Sequence, residues 1–388
     1  MASILMLATP VSGIPASRVA AAASRAWLDQ RPHDEVMIQT ISDGAPVWDW
    51  AASVGALRFE QSRNVSEALS TAGRELPVFA TAAGDTLVLD YTREDDPSQI
   101  GVPGLSDVSS EDIATDLERA RTGSFSRVAI VLPSPGRVTD GGRGLLSRLA
   151  GVQLDVPESG SGDAGGEESS LSPLAHAIRV ARQRLTSEFP AMSVMTPRTQ
   201  SLLGADGVAQ NWIAAGLDPR TAQVRETELS AWAWDIADVA QAAALADEFT
   251  GEDRRYHAAG ETQRLRVMHH PAAGALGGVG YVLLSLDVQP QDFGDFVFEK
   301  PDTRPSDRND LVVYITGVLP AETPSTLVRA SGLARDAAVP IVVVHGGEPM
   351  RRGDIPSMGL SGAYAYSRLD VSQLEATVTH AARIWALD

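Results

Sequence analysis

Short runs of β-branched and apolar residues alternate with segments of helical periodicity along most of the chain. Because helices usually connect parallel strands, this alternation predicts an α/β protein with mostly parallel sheets. The helix after the first run begins near Pro15 and keeps Val19, Ala23 and Trp27 on one face, which is the spacing of a core-facing helix. The predicted strands are residues 3–8, 35–41, 86–91, 127–132, 311–316 and 340–345.

The middle of the chain contains a segment of different composition. Residues 157–170 are acidic, rich in glycine and serine, and free of large apolar side chains. Such a segment cannot bury enough apolar surface to offset its ordering entropy, so it is predicted to be a flexible surface loop. A helix is predicted to follow, with Ser172 as N-cap and Pro173 at its first position. A second helix is predicted from Glu228 to Phe249, with its tryptophans in the core.

Length and charge limit the number of domains and the class of partner. The 388 residues exceed what one hydrophobic core usually serves, which predicts two domains. A net charge of −18 repels phosphate backbones and anionic lipids, so neither nucleic acid nor a membrane is expected as a partner. The N-terminus lacks the basic region of a signal peptide, and no apolar run reaches the roughly 20 residues that span a bilayer. These features predict a cytoplasmic protein and leave its oligomeric state open.

Residue types that are absent exclude several kinds of chemistry. The sequence has no cysteine, which excludes disulfides, thiolate nucleophiles and Cys-ligated zinc. His269, His270 and His345 are possible metal ligands by residue type, but the adjacent pair points in different directions and no HExxH pattern occurs, so no metal site is predicted. Lys300 is the only lysine. Nearly all positive charge is therefore carried by arginine.

The segment Asp140-Gly141-Gly142-Arg143-Gly144 lies between a predicted strand and a helical pattern. A glycine-rich turn in this position offers backbone N–H groups and the positive end of a helix to an anion. The segment matches neither the dinucleotide-binding fingerprint nor the P-loop. A plain turn that binds nothing is the alternative.

Two other segments are candidates for ligand contacts. The glycine cluster at residues 274–280 has small side chains that let a ligand or a second backbone approach closely, and close packing of two elements is the alternative. Asp43 lies in a Ser-Asp-Gly turn at the end of a predicted strand, where α/β proteins place functional loops. A type I turn without a ligand is the alternative there.

Several of these segments resemble known motifs, and they do so in order along nearly the whole chain. They are Ala8–Gly13, Ile41–Pro46, Ser134–Gly144, His270–Gly280 and Asp310–Gly317. In that order they resemble the motifs of the bacterial two-domain glycerate kinases. The family reads Pro-Asp-Ser-Phe-Lys-Gly, Ala-Asp-Gly-Gly-Glu-Gly, Gly-Gly-Ser-Ala-Thr-Asn-Asp-Gly-Gly-Ala-Gly, Pro-Gly-Ala-Gly-Ala-Ala-Gly-Gly-Leu-Gly and Asp-Leu-Val-Ile-Thr-Gly-Glu-Gly at these places.

The resemblance implies a fold, a reaction and a set of site residues. The fold would be a discontinuous three-layer parallel α/β domain from both chain ends, residues 1–55 and 290–388, with an inserted middle α/β domain at 56–289. The reaction would be ATP-dependent phosphorylation of D-glycerate, with ATP and Mg²⁺ as cofactors and a glycerate-like anion and a nucleotide as ligands. Asp43 and Asp140 would hold the metal or orient the hydroxyl. Contacts to phosphate or substrate would come from Arg137, Gly141, Gly142, Arg143, Gly274, Gly277, Gly278, Thr316 and Gly317.

The chain departs from the family pattern at several charged positions. Thr9 and Ser12 replace the aspartate and lysine of the first motif, Thr139 replaces an asparagine, and Val318 replaces the glutamate after Thr-Gly. Phosphoryl transfer needs cations to stabilise charge on the transferred group, so these losses predict a large loss of rate. Arginines flanking the turn, Arg137 and Arg143, are candidates to replace the missing cation. An inactive homologue that acts as a binding or regulatory protein is the alternative function.

Overall fold

The computed structural model describes residues 1–11, 14–41, 59–60, 78–81, 86–91, 108–121, 125–134, 136, 138–154, 173–248, 267–299, 304–319, 323–368 and 370–385. The predicted acidic loop 157–170 and the candidate residues Asp43 and Arg137 lie outside this part of the chain. The chain forms two compact units. Unit 1 comprises Met1–Glu60, Thr81–Ala83 and Gln291–Asp388, and unit 2 comprises Gln61–Ala80 and Gly84–Pro290.

The described strands and helices alternate through both units. The strands are β1 Ser3–Ala8, β2 Glu35–Thr40, β3 Phe59–Glu60, β4 Val78–Thr81, β5 Thr86–Asp90, β6 Arg127–Val131, β7 Ala191–Met195, β8 Gln289–Pro290, β9 Leu311–Val318, β10 Ile341–Gly346 and β11 Gly362–Tyr366. The helices are α1 Ala16–Gln30, α2 Glu111–Arg121, α3 Arg143–Ala150, α4 Pro173–Glu188, α5 Val208–Ala214, α6 Pro219–Glu248, α7 Ala275–Ser285, α8 Phe293–Val297, α9 Ser325–Asp336, α10 Asp354–Ser357 and α11 Val371–Ile384.

The sheet of unit 1 has the strand order β11-β10-β9-β1-β2, and its neighbouring strands are parallel. From β1 the chain moves to one side to form β2, and from β9 it moves to the other side to form β10 and β11. The direction of winding therefore changes between β1 and β9, the place where open α/β sheets commonly bind ligands. Helices α1 and α11 cover one face, where Val19, Trp27 and Val378 share a buried cluster with Met6 and Val313.

In unit 2 the strands β5, β6, β7 and β8 are neighbours in that order and run parallel, whereas β4 pairs antiparallel with β5. Residues of β5 and β6 are buried together with the apolar faces of α2, α3, α4, α6 and α7. The helices share this buried cluster with the sheet, and their buried side chains include Leu146, Ile178 and Trp232. None of the helices in the described residues is long and apolar enough to cross a membrane.

The α/β fold class predicted from the alternating pattern is confirmed. The predicted helix from Glu228 to Phe249 was placed too late, because α6 begins at Pro219. Its start follows a recognisable signal: Asp218 accepts a hydrogen bond from the N–H of Thr221 at 3.0 Å, and proline occupies the first helical position. The glycine cluster at 274–280 forms the start of α7.

Candidate functional site

A cleft of about 680 Å³ in unit 2 contains the Asp140–Gly144 turn. The walls come from the first turn of α2, from α3 and from α6. Trp212, Leu229 and Trp232 provide apolar surface. Three acidic and three basic residues also line the cleft, namely Glu111, Asp140, Glu228, Arg143, Arg148 and Arg225.

The Asp140 carboxylate accepts five hydrogen bonds from the surrounding chain. Its Oδ2 accepts from the backbone N–H of Ser110 at 2.7 Å and of Gly144 at 3.0 Å, and from the hydroxyls of Ser109 at 3.2 Å and Ser110 at 3.0 Å. Its Oδ1 accepts from the N–H of Gly142 at 2.9 Å. A carboxylate offers about four acceptor sites. Four of the five donors bond Oδ2 and one bonds Oδ1, so Oδ2 is fully occupied and Oδ1 keeps one acceptor site.

The same hydrogen bonds join the starts of two helices. The first N–H groups of a helix have no partner within the helix. At the start of α3, the N–H of Gly144 donates to Asp140 and the N–H of Leu145 donates to the Ser110 hydroxyl at 2.8 Å. Ser110 lies directly before α2, so one carboxylate caps α3 and holds it against α2. The positive end of α3 already faces an anion, and this anion is part of the chain.

Arg143 is the first residue of α3 and lies over an aromatic ring. Its guanidinium carbon is 4.7 Å from the centroid of Trp232, the geometry of a cation–π contact. Trp232 is held in place because its indole N–H donates to the carbonyl of Gly141 at 2.9 Å. Burial lowers the pKa of the Arg143 guanidinium, and the charges of Asp140, Glu228 and Asp235 oppose this shift.

Ion pairs distinguish the other two arginines of the cleft from Arg143. Arg148 pairs with Glu111 at 3.4 Å, and Arg225 pairs with Glu228 at 3.3 Å. The Arg143 Nε is buried without a hydrogen-bond partner. Among the described residues, no carboxylate forms an ion pair with Arg143, which distinguishes its guanidinium from those of Arg148 and Arg225.

The predicted ligand-contacting glycines of the 274–280 cluster lie in close packing. A Cβ on Gly277 would stand 1.8 Å from the carbonyl oxygen of Val138, and one on Gly274 would stand 2.2 Å from that of Ser201. Gly278 adopts a positive φ of 101° and is buried like the rest of α7. The contacts favour the packing alternative that the sequence left open. A binding role for these glycines stays a prediction.

Thr316 and Gly317 belong to β9 in unit 1. Thr316 is buried, and its carbonyl accepts a hydrogen bond from the Tyr366 hydroxyl at 2.7 Å. Thr316 is in register with His345 on β10, and the N–H of Thr9 donates to Ile315 at 2.9 Å. Three buried polar residues, Thr9, Thr316 and His345, therefore occupy adjoining positions at the carboxyl ends of β1, β9 and β10.

His345 was considered from the sequence only as a metal ligand, a role that was not predicted, and its surroundings are unusual. Its Nδ1 is 3.2 Å from the carbonyl oxygen of Gly346, while its Nε2 is buried without a hydrogen-bond partner. Burial lowers the pKa of His345, and the contact with Gly346 acts in the opposite direction. The ring is therefore neutral near pH 7. A neutral ring in this setting presents an unused acceptor at Nε2.

The residues around Asp140 do not fit the role of an Mg²⁺ ligand set. In the part of the chain that the structure describes, no group of three histidine, aspartate or glutamate side chains is placed to hold a metal ion. Oδ2 of Asp140 is occupied by N–H and O–H donors, which a cation at that oxygen would have to displace, and Oδ1 offers a single further acceptor site. We therefore derive no step of a reaction through a metal at this turn.

The two units define a two-part α/β protein of a kind known among solved structures. The structure of a putative glycerate kinase 2 from Salmonella typhimurium LT2 superimposes with a TM-score of 0.55 at 16% sequence identity, covering 99% of this chain and 96% of that chain. At this identity the likeness shows the fold, which is the fold that the motif resemblance implies. No protein-family model and no curated protein sequence matches the chain.

Proposed function

We propose that this chain is a glycerate kinase-like protein that binds a small-molecule ligand and does not transfer a phosphoryl group to glycerate. The observation that carries the proposal is the state of the Asp140 carboxylate, which accepts five hydrogen bonds from its own chain. These bonds fully occupy Oδ2, leave one acceptor site at Oδ1, and fix the carboxylate as a cap of α3 that also holds α3 against α2. We infer that Asp140 is committed to this structural role rather than to a metal ion or a substrate hydroxyl.

The loss of charged motif residues supports the same conclusion. Catalysis of phosphoryl transfer depends on cations and on carboxylates positioned around the transferred group. Thr9 stands where the family has an aspartate, and its side chain is buried. Ser12 stands where the family has a lysine, and Val318 stands where it has a glutamate. Neither serine nor valine supplies a charge for this chemistry.

ATP-dependent phosphorylation of D-glycerate is the second candidate function, with ATP and Mg²⁺ as cofactors. The likeness to a putative glycerate kinase favours it, because that likeness extends over nearly the full length of both chains. In this function Asp43, which the sequence places after a strand end, would orient the hydroxyl. Arg137 would then help to stabilise the transferred phosphoryl group.

A coupled ATP-to-ADP assay with purified protein, Mg²⁺ and millimolar D-glycerate separates the two functions. An active glycerate kinase serves as the positive control, and calorimetry measures Mg-ATP binding in the same preparation. The proposal predicts no increase in ADP formation when glycerate is added. Glycerate-dependent turnover that Asp43→Asn abolishes and Asp140→Asn retains would establish the kinase function and overturn the proposal.

A further inference from the structure

We propose that Arg143 and Trp232 form a receptor for the carboxylate of a small organic acid in the cleft of unit 2. The inference rests on the proposed function in one respect, namely that the ligand is bound and released unchanged. Arg143 supplies the charge and hydrogen-bond donors, and Trp232 supplies the surface on which its guanidinium is held. The carboxylate binds on the open side of that guanidinium.

Arg143 forms no ion pair within the described residues, although Asp140, Glu228 and Asp235 lie near enough to act on its charge. Its Nε is buried without a partner, whereas Arg148 and Arg225 in the same cleft form ion pairs. Removing a charge from water without pairing it is costly, and an anion that reaches the guanidinium offsets this cost. A guanidinium also binds a carboxylate through two parallel N–H donors, which makes the contact both strong and directional.

The position of Arg143 is unfavourable for a purely structural role. It occupies the first position of α3, where the helix dipole disfavours a positive charge. Trp232 does not need Arg143 for its own placement, since its indole N–H is bonded to Gly141 and its ring belongs to the buried cluster. A partly exposed cation that lines a cleft at a helix position unfavourable to its charge is suited to binding an anionic ligand.

The charges of the cleft favour a carboxylate over a phosphate. The lining carries equal numbers of acidic and basic residues, and Asp140 and Glu228 both act electrostatically on Arg143. Phosphate carries roughly 1.5 negative charges at neutral pH, so these acids repel it more strongly than a singly charged carboxylate. Apolar surface from Trp212, Leu229 and Trp232 suits the hydrocarbon part of an organic acid.

The test is a set of calorimetric titrations of the full chain with D-glycerate, benzoate and inorganic phosphate. The variants are Arg143→Gln and Arg143→Lys, and the matched control is Arg148→Gln, which removes a paired arginine from the same cleft. We expect at least one carboxylate to bind the wild-type chain more tightly than phosphate. Arg143→Gln should weaken this binding by about tenfold or more. Arg143→Lys should weaken it by less, because lysine keeps the charge but lacks the two parallel N–H donors of the guanidinium. The control should bind within about twofold of wild type.

Stability distinguishes a receptor from a structural residue. The thermal midpoint of Arg143→Gln should equal or exceed that of the wild-type chain, whereas a structural role predicts a lower midpoint. Failure of both carboxylates to bind, unchanged affinity in Arg143→Gln, or tighter binding of phosphate would each overturn the receptor. Kinase turnover together with Arg143-dependent binding would overturn the proposed function alone, so the two failures can be told apart.

Discussion

At the scale of single residues, the surroundings of a side chain decide its chemistry. Asp140 and Arg143 are three positions apart in one turn, yet the structure gives them opposite roles. The carboxylate is occupied by donors from Ser109, Ser110, Gly142 and Gly144, whereas the guanidinium contacts an aromatic face and keeps donors free. Sequence alone marks both as candidates for phosphate chemistry. Their contacts indicate that Asp140 is a helix-capping residue and that Arg143 is a ligand-binding residue.

Replacing Asp140 with asparagine tests its role in capping α3 and holding α3 against α2. The substitution removes the charge from several hydrogen bonds and turns an amide NH₂ toward existing donors, so Asp140→Asn should lower the free energy of unfolding by about 3 kcal/mol. Hydrogen exchange should quicken at the amides of Gly142 and Gly144. Urea denaturation followed by circular dichroism measures the first effect, with Asp206→Asn at an exposed position as the control. An unchanged urea midpoint in Asp140→Asn would contradict the role.

His345 predicts a pH dependence of stability. Burial lowers its pKa in the folded chain from the ordinary value of 6.5. As pH falls through 6.5, the unfolded chain takes up a proton that the folded chain still excludes, so folded stability should fall over this window and down to the folded pKa. His345→Leu should flatten this decline, while His33→Leu, at an exposed position, should leave it unchanged. If the stability of wild type and of His345→Leu falls equally as the pH is lowered, another group is responsible for the decline.

At the scale of elements, α7 shows how glycine serves packing. Leu276, Gly277 and Gly278 have positive φ values of 48°, 69° and 101°. These three residues form a left-handed segment within α7, after which the right-handed helix continues. The absence of a Cβ at Gly277 lets the chain approach Val138, and the same holds at Gly280, where a Cβ would stand 1.9 Å from the carbonyl oxygen of Ala272. The cluster is therefore required for the approach of two elements.

Gly277→Ala should destabilise the protein severely, by on the order of 4 kcal/mol, because both the positive φ and the contact with Val138 oppose a methyl group. The matched control is Gly332→Ala, where nothing lies within 4 Å of the added Cβ in helix α9. That variant should be as stable as wild type or more stable by up to about 1 kcal/mol. Thermal unfolding measures both. Equal midpoints for Gly277→Ala and wild type would contradict the packing account.

Sequence patterns identified the elements whose signals are local. The strands around residues 3–8, 127–132 and 311–316 were predicted because each holds a run of apolar or β-branched residues, and all three are confirmed. Strand β7 was missed because Ser193 interrupts the apolar run of Ala191–Met195 and only Val194 in it is β-branched. At the site, Arg143 was identified from its turn, but Trp232 was assigned to the core. Their contact joins distant parts of the chain, and no local periodicity reports such a contact.

At the scale of the whole molecule, the fold does not by itself determine the chemistry of the site. Both units have well-formed buried cores, and the fold is that of a solved putative glycerate kinase over nearly its whole length. A fold can host several functions, so the function has to be argued from the site. Here the site offers a free arginine and an occupied aspartate. This combination supports binding of a carboxylate without phosphoryl transfer.

One measurement tests this central claim directly: ¹³C NMR of carboxyl-labelled D-glycerate mixed with the protein, Mg²⁺ and ATP. The account predicts that the glycerate carboxyl resonance shifts or broadens with the wild-type chain and does not with Arg143→Gln, and that no phosphoglycerate resonance grows over hours. Accumulation of phosphoglycerate with the wild-type chain would contradict it, and so would carboxyl resonances of D-glycerate and of labelled benzoate that both stay unperturbed at millimolar protein.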